Sequence, residues 1–167
     1  MSAEDWAPDT VILGVGNELM TDDGVGVEAA RRLRAEDLGA GVEVLLGGVG
    51  GLNLIFELER CRRAFILDAA HMGLPPGSVR VVRREELEDR IQPLVSLHQL
   101  ALHDVLDLAE LAGVTAEITL VAVEPEEVLP GIGLTKTVEA ALPEMIRLVK
   151  ELLAQPGPPC CEHPAGG

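Results

Sequence analysis

Residues 10–36 read TVILGVGNELMTDDGVGVEAARRLRAE, and three local patterns follow one another in that stretch. Thr10–Val15 is a short, β-branched apolar run with a glycine near its end, the pattern of a buried strand. GNELMTDD is a polar loop. Gly24–Glu36 then places apolar residues at Val25, Val27, Ala29, Ala30 and Leu33, with Glu28 four residues before Arg32, the spacing of an amphipathic helix with an ion pair on its face. Strand, loop and helix in that order begin a layered α/β domain.

The pattern repeats along the chain. Val42–Leu46 reads as a second strand, followed by GGVGG at 47–51 and a helix over 52–61. Arg63–Ala69, RAFILDA, is a third strand ending on Asp68 and Ala69. HMGLPPG turns the chain into a fourth strand at Ser78–Arg83, through a connection too short for a helical crossover, so this strand is predicted antiparallel. A short charged helix covers 84–90. Ser96–Leu111 reads as a strong helix with a capping box between Ser96 and Gln99 and an apolar face that includes Leu100, Leu106 and Leu108. Glu117–Val123 is a fifth strand, and Leu134–Ala154 a long helix that Pro143 should kink or restart. The predicted fold is three-layer α/β/α, with a twisted, mostly parallel five-stranded sheet, one strand antiparallel, flanked by helices. Residues 1–154 form one domain and 155–167, rich in Pro and Gly, a mobile tail.

Composition limits function. The chain has 167 residues, 47% hydrophobic and 25% charged, which suits one globular domain. No apolar run approaches the ~20 residues of a membrane span. The acidic start lacks a signal-peptide pattern, and three unevenly placed cysteines make no disulfide framework, so a cytoplasmic protein is expected. A net charge of −15 argues against nucleic acid and anionic membranes as partners. With 2% aromatics the core must be aliphatic.

In open α/β sheets ligands bind beyond the carboxyl ends of the strands. The polar residues expected there are Asn17, Glu18, Asp22 and Asp23 after strand one, Asp68 and His71 after strand three, His98 in the first turn of the capped helix, and Glu124, Glu126 and Glu127 after strand five. Each has an ordinary reading. Asp68 can cap a loop amide, His98 can face solvent, and an Asp before Gly24 can cap a helix. One acid suffices for that cap, which leaves the other of Asp22 and Asp23 to be explained. Two carboxylates and an imidazole, as in Asp23, Asp68 and His98, form an N/O donor set suited to nickel or zinc with open positions for substrate. Other motifs fail. Gly14-Val15-Gly16 lacks the third glycine of a dinucleotide fingerprint, since Leu19 stands there. GxxxxGK[ST], GxSxG and HExxH are absent. Cys61 reads as a small buried hydrophobe, and Cys160, Cys161 and His163 as incidental.

GVGNELMTDDGVGVEAARRL resembles the opening signature of the maturation endopeptidases of nickel-iron hydrogenases, GxGN followed by an apolar stretch and D-D/E-x-x-G. ILDAAHMGLPPGSVRVV, SLHQLALHDVL and VAVEPEEVLPGIGLTKTVEAALPEMI are similar to three further blocks of that family, in order, over roughly residues 10–153. The resemblance implies a five-stranded α/β fold and a peptidase that removes the C-terminal extension of the hydrogenase large-subunit precursor after nickel insertion. It puts the family's metal-site residues on Asp23, Asp68 and His98. Nickel would be presented by the precursor, with another divalent metal as an alternative. The three residues would contact nickel in the precursor, or hold a metal-activated water, or one Asp would act as general base, so aspartic-type and metal-dependent classes both stay open. The expected protein is a monomer. A noncatalytic nickel-binding chaperone for the large subunit is the main rival, a nucleotide-binding domain a second. The chain departs from some members at Leu46, where they carry Asp before the Gly-Gly of Gly47 and Gly48. GGVGG is read either as a rim that admits an extended peptide or as a plain β-α turn.

Overall fold

The computed structural model describes residues 8–48, 53–87 and 97–158, with side chains from Asp104 onward in the helix that starts at Leu97. Five strands form one sheet: β1 (Thr10–Val15), β2 (Val42–Gly48), β3 (Arg63–Ala69), β4 (Val79–Arg83) and β5 (Glu117–Val123). Their order is β2-β1-β3-β5-β4; all neighbours are parallel except β4, which pairs antiparallel with β5 at the edge. Four helices among the described residues cover the sheet: α1 (Val25–Arg34), α2 (Asn53–Glu59), α3 (Leu97–Leu111) and α4 (Lys136–Ala154). A 3-10 turn, Thr21–Gly24, precedes α1. The sequence-predicted three-layer α/β/α architecture, with its single antiparallel strand, is the observed one.

Burial on both faces explains why the central strands read as continuous apolar runs. All six residues of β1 are buried. One core sets Ile12, Phe65, Leu67, Val121 and Val123 against α1 and α4. The other sets Val11, Leu13, Ile66 and Leu120 against α2 and α3. Cys61 is buried among the latter, as expected.

Three local expectations change. Leu108 does not contribute to the buried face of α3; it is 44% exposed, and Val105, Leu106 and Ala109 are the buried set. The spacing of leucines misleads because α3 is apolar on more than one side. Pro143 does not restart α4, which runs unbroken from Lys136 to Ala154. Pro143 is exposed, so the Glu139 carbonyl that loses its helical partner lies on the wet side. At the other end of α4, Arg63 donates to the carbonyls of Leu152, Leu153 and Gln155, supplying cation and donors to the helix C-terminus. Ser96 and its capping box, Leu100, the stretch 88–90 of the charged helix, most of GGVGG and the residues 159–167 of the tail fall outside the described set.

Close approach of α1 to the sheet sets the position of everything at the carboxyl edge. A Cβ on Gly26 would stand 2.0 Å from the Leu67 carbonyl oxygen and 2.4 Å from that of Val15. A Cβ on Gly14 would stand 2.5 Å from both Ala30 Cβ and the Gly26 carbonyl oxygen. Gly14 and Gly26 are therefore contact glycines, at which the helix lies directly on the backbone of β1 and β3. Gly26→Ala tests this. Helix propensity alone would make alanine more stable by about 1 kcal/mol. The clash with two backbone carbonyls should reverse the sign and lower stability by about 3 kcal/mol, at the top of the usual overpacking range. Urea unfolding reads the difference, and a raised midpoint would refute the close contact.

Candidate active site

β1 lies between β2 and β3. The chain leaves β1 through α1, on one face, and reaches β3 through α2, on the other. The carboxyl ends of β1 and β3 thus flank the point where the winding reverses, and such points open a crevice. Asp68 ends β3, and the loop after β1 carries Asp23 in the 3-10 turn.

Gly16 lets that loop fold back. Its φ is +137°, and a Cβ there would stand 1.9 Å from the Asp23 carbonyl oxygen. The next residue, Asn17, donates its backbone N–H to Asp23 Oδ2 at 3.1 Å. Asp23 is 6% exposed and Asp68 1%. Asp68 Oδ1 accepts from the Ala69 N–H at 2.8 Å, so the amide it holds is that of the last β3 residue and not the loop amide expected. Burial pushes the Asp68 carboxyl well above its ordinary value, the neighbouring Asp23 charge pushes it further, and the Ala69 N–H opposes both. Neither acid has a Lys, Arg or His ion-pair partner among the described residues.

His98 reaches the same edge by topology. α3 packs on the face formed by Ala64, Ile66 and Ala70, the face to which strand alternation also directs Asp68. α3 ends shortly before β5, whose first residue pairs with the first of β3, so its C-terminus is at the amino edge. Its first turn, with His98, is therefore at the carboxyl edge. The His98 side chain is outside the described set. The described side chains alone hold no group of three His, Cys, Asp or Glu arranged for a metal. Two carboxylates at close quarters without a described cation suit a divalent ion as the missing countercharge, and Asp23 and Asp68 are the residues that would hold it; the first turn of α3, with His98, lies on the same edge.

Asp22 and Asp23 have different tasks. Neither caps a helix, because α1 has Gly24 at its N-cap position and no side-chain cap. Asp22 is fully buried and accepts from the Glu126, Glu127 and Thr135 N–H groups at 3.0, 2.9 and 2.7 Å and from Thr135 Oγ1 at 3.0 Å. Thr135 is itself the N-cap of α4. Asp22 thus clamps the loop after β5 to the turn that carries Asp23. Glu124 does likewise for the loop after β3, accepting from the Met72 and Leu74 N–H groups at 2.6 and 3.3 Å, with His71 Nδ1 3.3 Å from its other oxygen. Glu126 and Glu127 are exposed. Threonine just ahead of a periodic apolar stretch is a helix-start signal, but nothing in the sequence links it to an acid 113 positions earlier.

The chain matches the HycI family of hydrogenase maturation proteases over residues 27–152. It belongs to that family. It is 36% identical to the Hydrogenase 2 maturation protease of Escherichia coli K12, over 88% of this chain and 92% of that one. It is 35% identical to the hydrogenase expression/formation protein HoxM of Azotobacter vinelandii, over 90% and 75% respectively. The fold superposes on that of the hydrogenase maturating endopeptidase HybD of E. coli with a TM-score of 0.80 at 36% identity, covering 86% of this chain and 91% of that one. HybD from Thermococcus kodakarensis gives 0.71 at 30%, covering 86% and 98%. The protease is thus a peptide hydrolase, and none of its described helices is long and apolar enough to cross a membrane.

The two kinds of buried acid should respond oppositely to amidation. Asp22→Asn turns an NH2 group toward donors, and should destabilise the maturation protease by about 2–4 kcal/mol by leaving buried N–H groups unpaired. Asp68→Asn should stabilise the metal-free protein at neutral pH. The folded-state Asp68 pKa lies above the unfolded one, so the wild type loses stability as pH rises from the ordinary carboxylate value, near 4, toward the folded value. The asparagine variant escapes that loss. Urea unfolding in chelator between pH 4 and 8 should show the two curves diverge upward from pH ~4; parallel curves would refute the raised pKa.

Proposed function

We propose that this protease removes the C-terminal extension from the precursor of a nickel-iron hydrogenase large subunit after nickel insertion, using Asp23, Asp68 and His98. The observation that carries the reading is the buried pair Asp23 and Asp68, two carboxylates at the switch crevice without a described cation. Two such acids demand a proton or a cation between them. A precursor loaded with nickel brings a divalent cation into the crevice, and an unloaded one does not. The ion is part of the substrate in this scheme, and the acids read whether it is present.

Hydrolysis adds water to the scissile carbonyl, breaks the C–N bond and gives a proton to the departing amine. The proton that water loses needs an acceptor, and the amine needs a donor. A carboxyl whose proton affinity is raised by burial can serve both steps near neutral pH. Asp68 fits that role by environment provided the cation sits on Asp23 and leaves an Asp68 oxygen free; Asp23, held by the Asn17 N–H, is the acid fixed beside it. His98 supplies a neutral nitrogen donor from the α3 side. The general base is thus an aspartate, and the cation comes with the substrate. Cytoplasmic action on a cytoplasmic precursor fits the acidic, disulfide-poor composition.

Nickel-loaded and nickel-free precursor, each incubated with the protease and weighed by mass spectrometry, test the reading. Only the loaded form should lose its extension. Asp23→Asn, Asp68→Asn and His98→Gln should each slow cleavage by about 10²–10⁴-fold. Equal cleavage of both precursors would sink the nickel-reading role. Full activity in any one variant would remove that residue from the site. Tight binding with no loss of mass would make the protein a nickel-binding chaperone instead.

A further inference from the structure

Leu19, Leu129 and Ile132 are 66%, 55% and 88% exposed, large aliphatic side chains on two neighbouring loops at the carboxyl edge. Isolated exposed leucines are ordinary, but these three stand on rigidly joined backbone. Gly131 donates its N–H to the Leu19 carbonyl at 2.9 Å, and Thr21 donates to the Gly131 carbonyl at 3.0 Å, making a parallel bridge between Met20 and Gly131. Thr21 Oγ1 donates to the Glu127 carbonyl at 2.7 Å and accepts from the Leu129 N–H at 3.0 Å. Thr21 is the sole non-glycine described residue with positive φ, +43°. Such a conformation persists when its surroundings over-determine it, and it is found disproportionately at working surfaces. Asp22, the next residue, clamps the same two loops.

The patch is continuous with the site. Leu19 donates its N–H to Asn17 Oδ1 at 3.0 Å, and the Asn17 N–H holds Asp23. A protein seated with a peptide bond at Asp23 lies over this loop as well. Beside the patch, a groove of about 380 Å³ is lined by Thr21, Gly24, Ile132 and Leu134, and by Glu18 and Arg31, which pair with each other at 2.6 Å. Of the exposed acids near these loops, Glu18 next to Leu19 is paired with Arg31, while Glu126 and Glu127, just before Leu129, make no ion pair with any described residue. The surface is therefore aliphatic, bordered on the groove side by Arg31 and Arg32 paired with Glu18, Glu28 and Glu139, and on the Leu129 side by the acids Glu126 and Glu127, unpaired among the described residues.

We infer that Leu19, Leu129 and Ile132 form a preorganised docking surface for the large-subunit precursor, taking an apolar segment of it bordered by Lys or Arg. This rests on the function proposed above. Rigid, exposed aliphatic anchors that a partner would desolvate, with a charged rim, are the arrangement expected of a recognition site, the anchors supplying affinity and the rim steering. Thr21 is a positioning residue for the patch.

Steady-state cleavage of nickel-loaded precursor by the full-length Leu19→Ser/Ile132→Ser double variant tests the surface. KM should rise about 10- to 100-fold with a much smaller change in kcat, since the anchors lie outside the reacting groups. Glu126→Lys/Glu127→Lys should raise KM chiefly at low salt. Circular dichroism and thermal melting establish that the variants are folded, which exposed positions favour. Unchanged KM in the double variant overturns the inference while wild-type cleavage still stands. Absence of cleavage by the wild type is instead a failure of the proposed function. Sedimentation decides the other occupant: a wild-type dimer that the double variant dissociates, with KM unchanged, would assign the patch to a second copy of this chain and overturn the precursor reading.

Discussion

The carboxyl edge of this molecule depends on one buried carboxylate. Asp22 has no exposed surface and four hydrogen bonds, three from backbone N–H groups and one from the Thr135 hydroxyl. An ionised carboxylate can be buried at tolerable cost when its lone pairs are filled in this way. The consequence is mechanical. Loops after β1 and β5, with the N-terminus of α4, become one piece, and the turn that carries Asp23 is tied to the end of β5, the neighbour of β3. The contact glycines Gly14 and Gly26 complete the restraint from below, because α1 rests on the strand backbones themselves. A site whose two acids repel each other needs such a frame, since repulsion would otherwise relax by movement.

Much of this was legible in the sequence and some was not, for physical reasons. TVILGV, RAFILDA and EITLVAV are strands with the boundaries their apolar runs predict, because a strand covered on both faces leaves no room for polar residues. The antiparallel β4 followed from connection length alone. The spacing in α3 overcounted its buried face at Leu108, since periodicity finds a stripe but not which neighbours cover it. Pro143 does not restart α4, because a missing hydrogen bond on the exposed side costs less than one in the core. The division of labour between Asp22 and Asp23 was out of reach. Adjacent acids look alike in sequence, and what separates them is a loop more than a hundred residues away.

Charge makes the same point at the scale of the chain. Most of the described acidic residues are solvated, and several pair with arginines on helix faces, as Glu28 does with Arg31 and Arg32 at 2.5 and 3.0 Å. Exposed pairs of this kind contribute little to stability. They account for the net charge and for the partners it disfavours, but not for the chemistry. Among the described residues, four acids are buried: Asp22, Asp23, Asp68 and Glu124.

Those four divide by how much of their acceptor capacity the protein uses. A carboxylate offers about four acceptor positions. Asp22 fills them with four donors, and Glu124 takes two N–H groups and faces His71. Asp23 and Asp68 each accept one described N–H. The first two are parts of the frame, Asp22 with its acceptor positions filled and Glu124 with most of them taken. The second two are buried, close enough to raise the Asp68 pKa, and short of donors among the described residues, a state that costs stability and is relieved by a proton or a cation. Spare acceptor capacity in a buried acid is therefore the feature that separates the candidate site from the scaffold around it, and it does so without reference to which acid stands first in the motif.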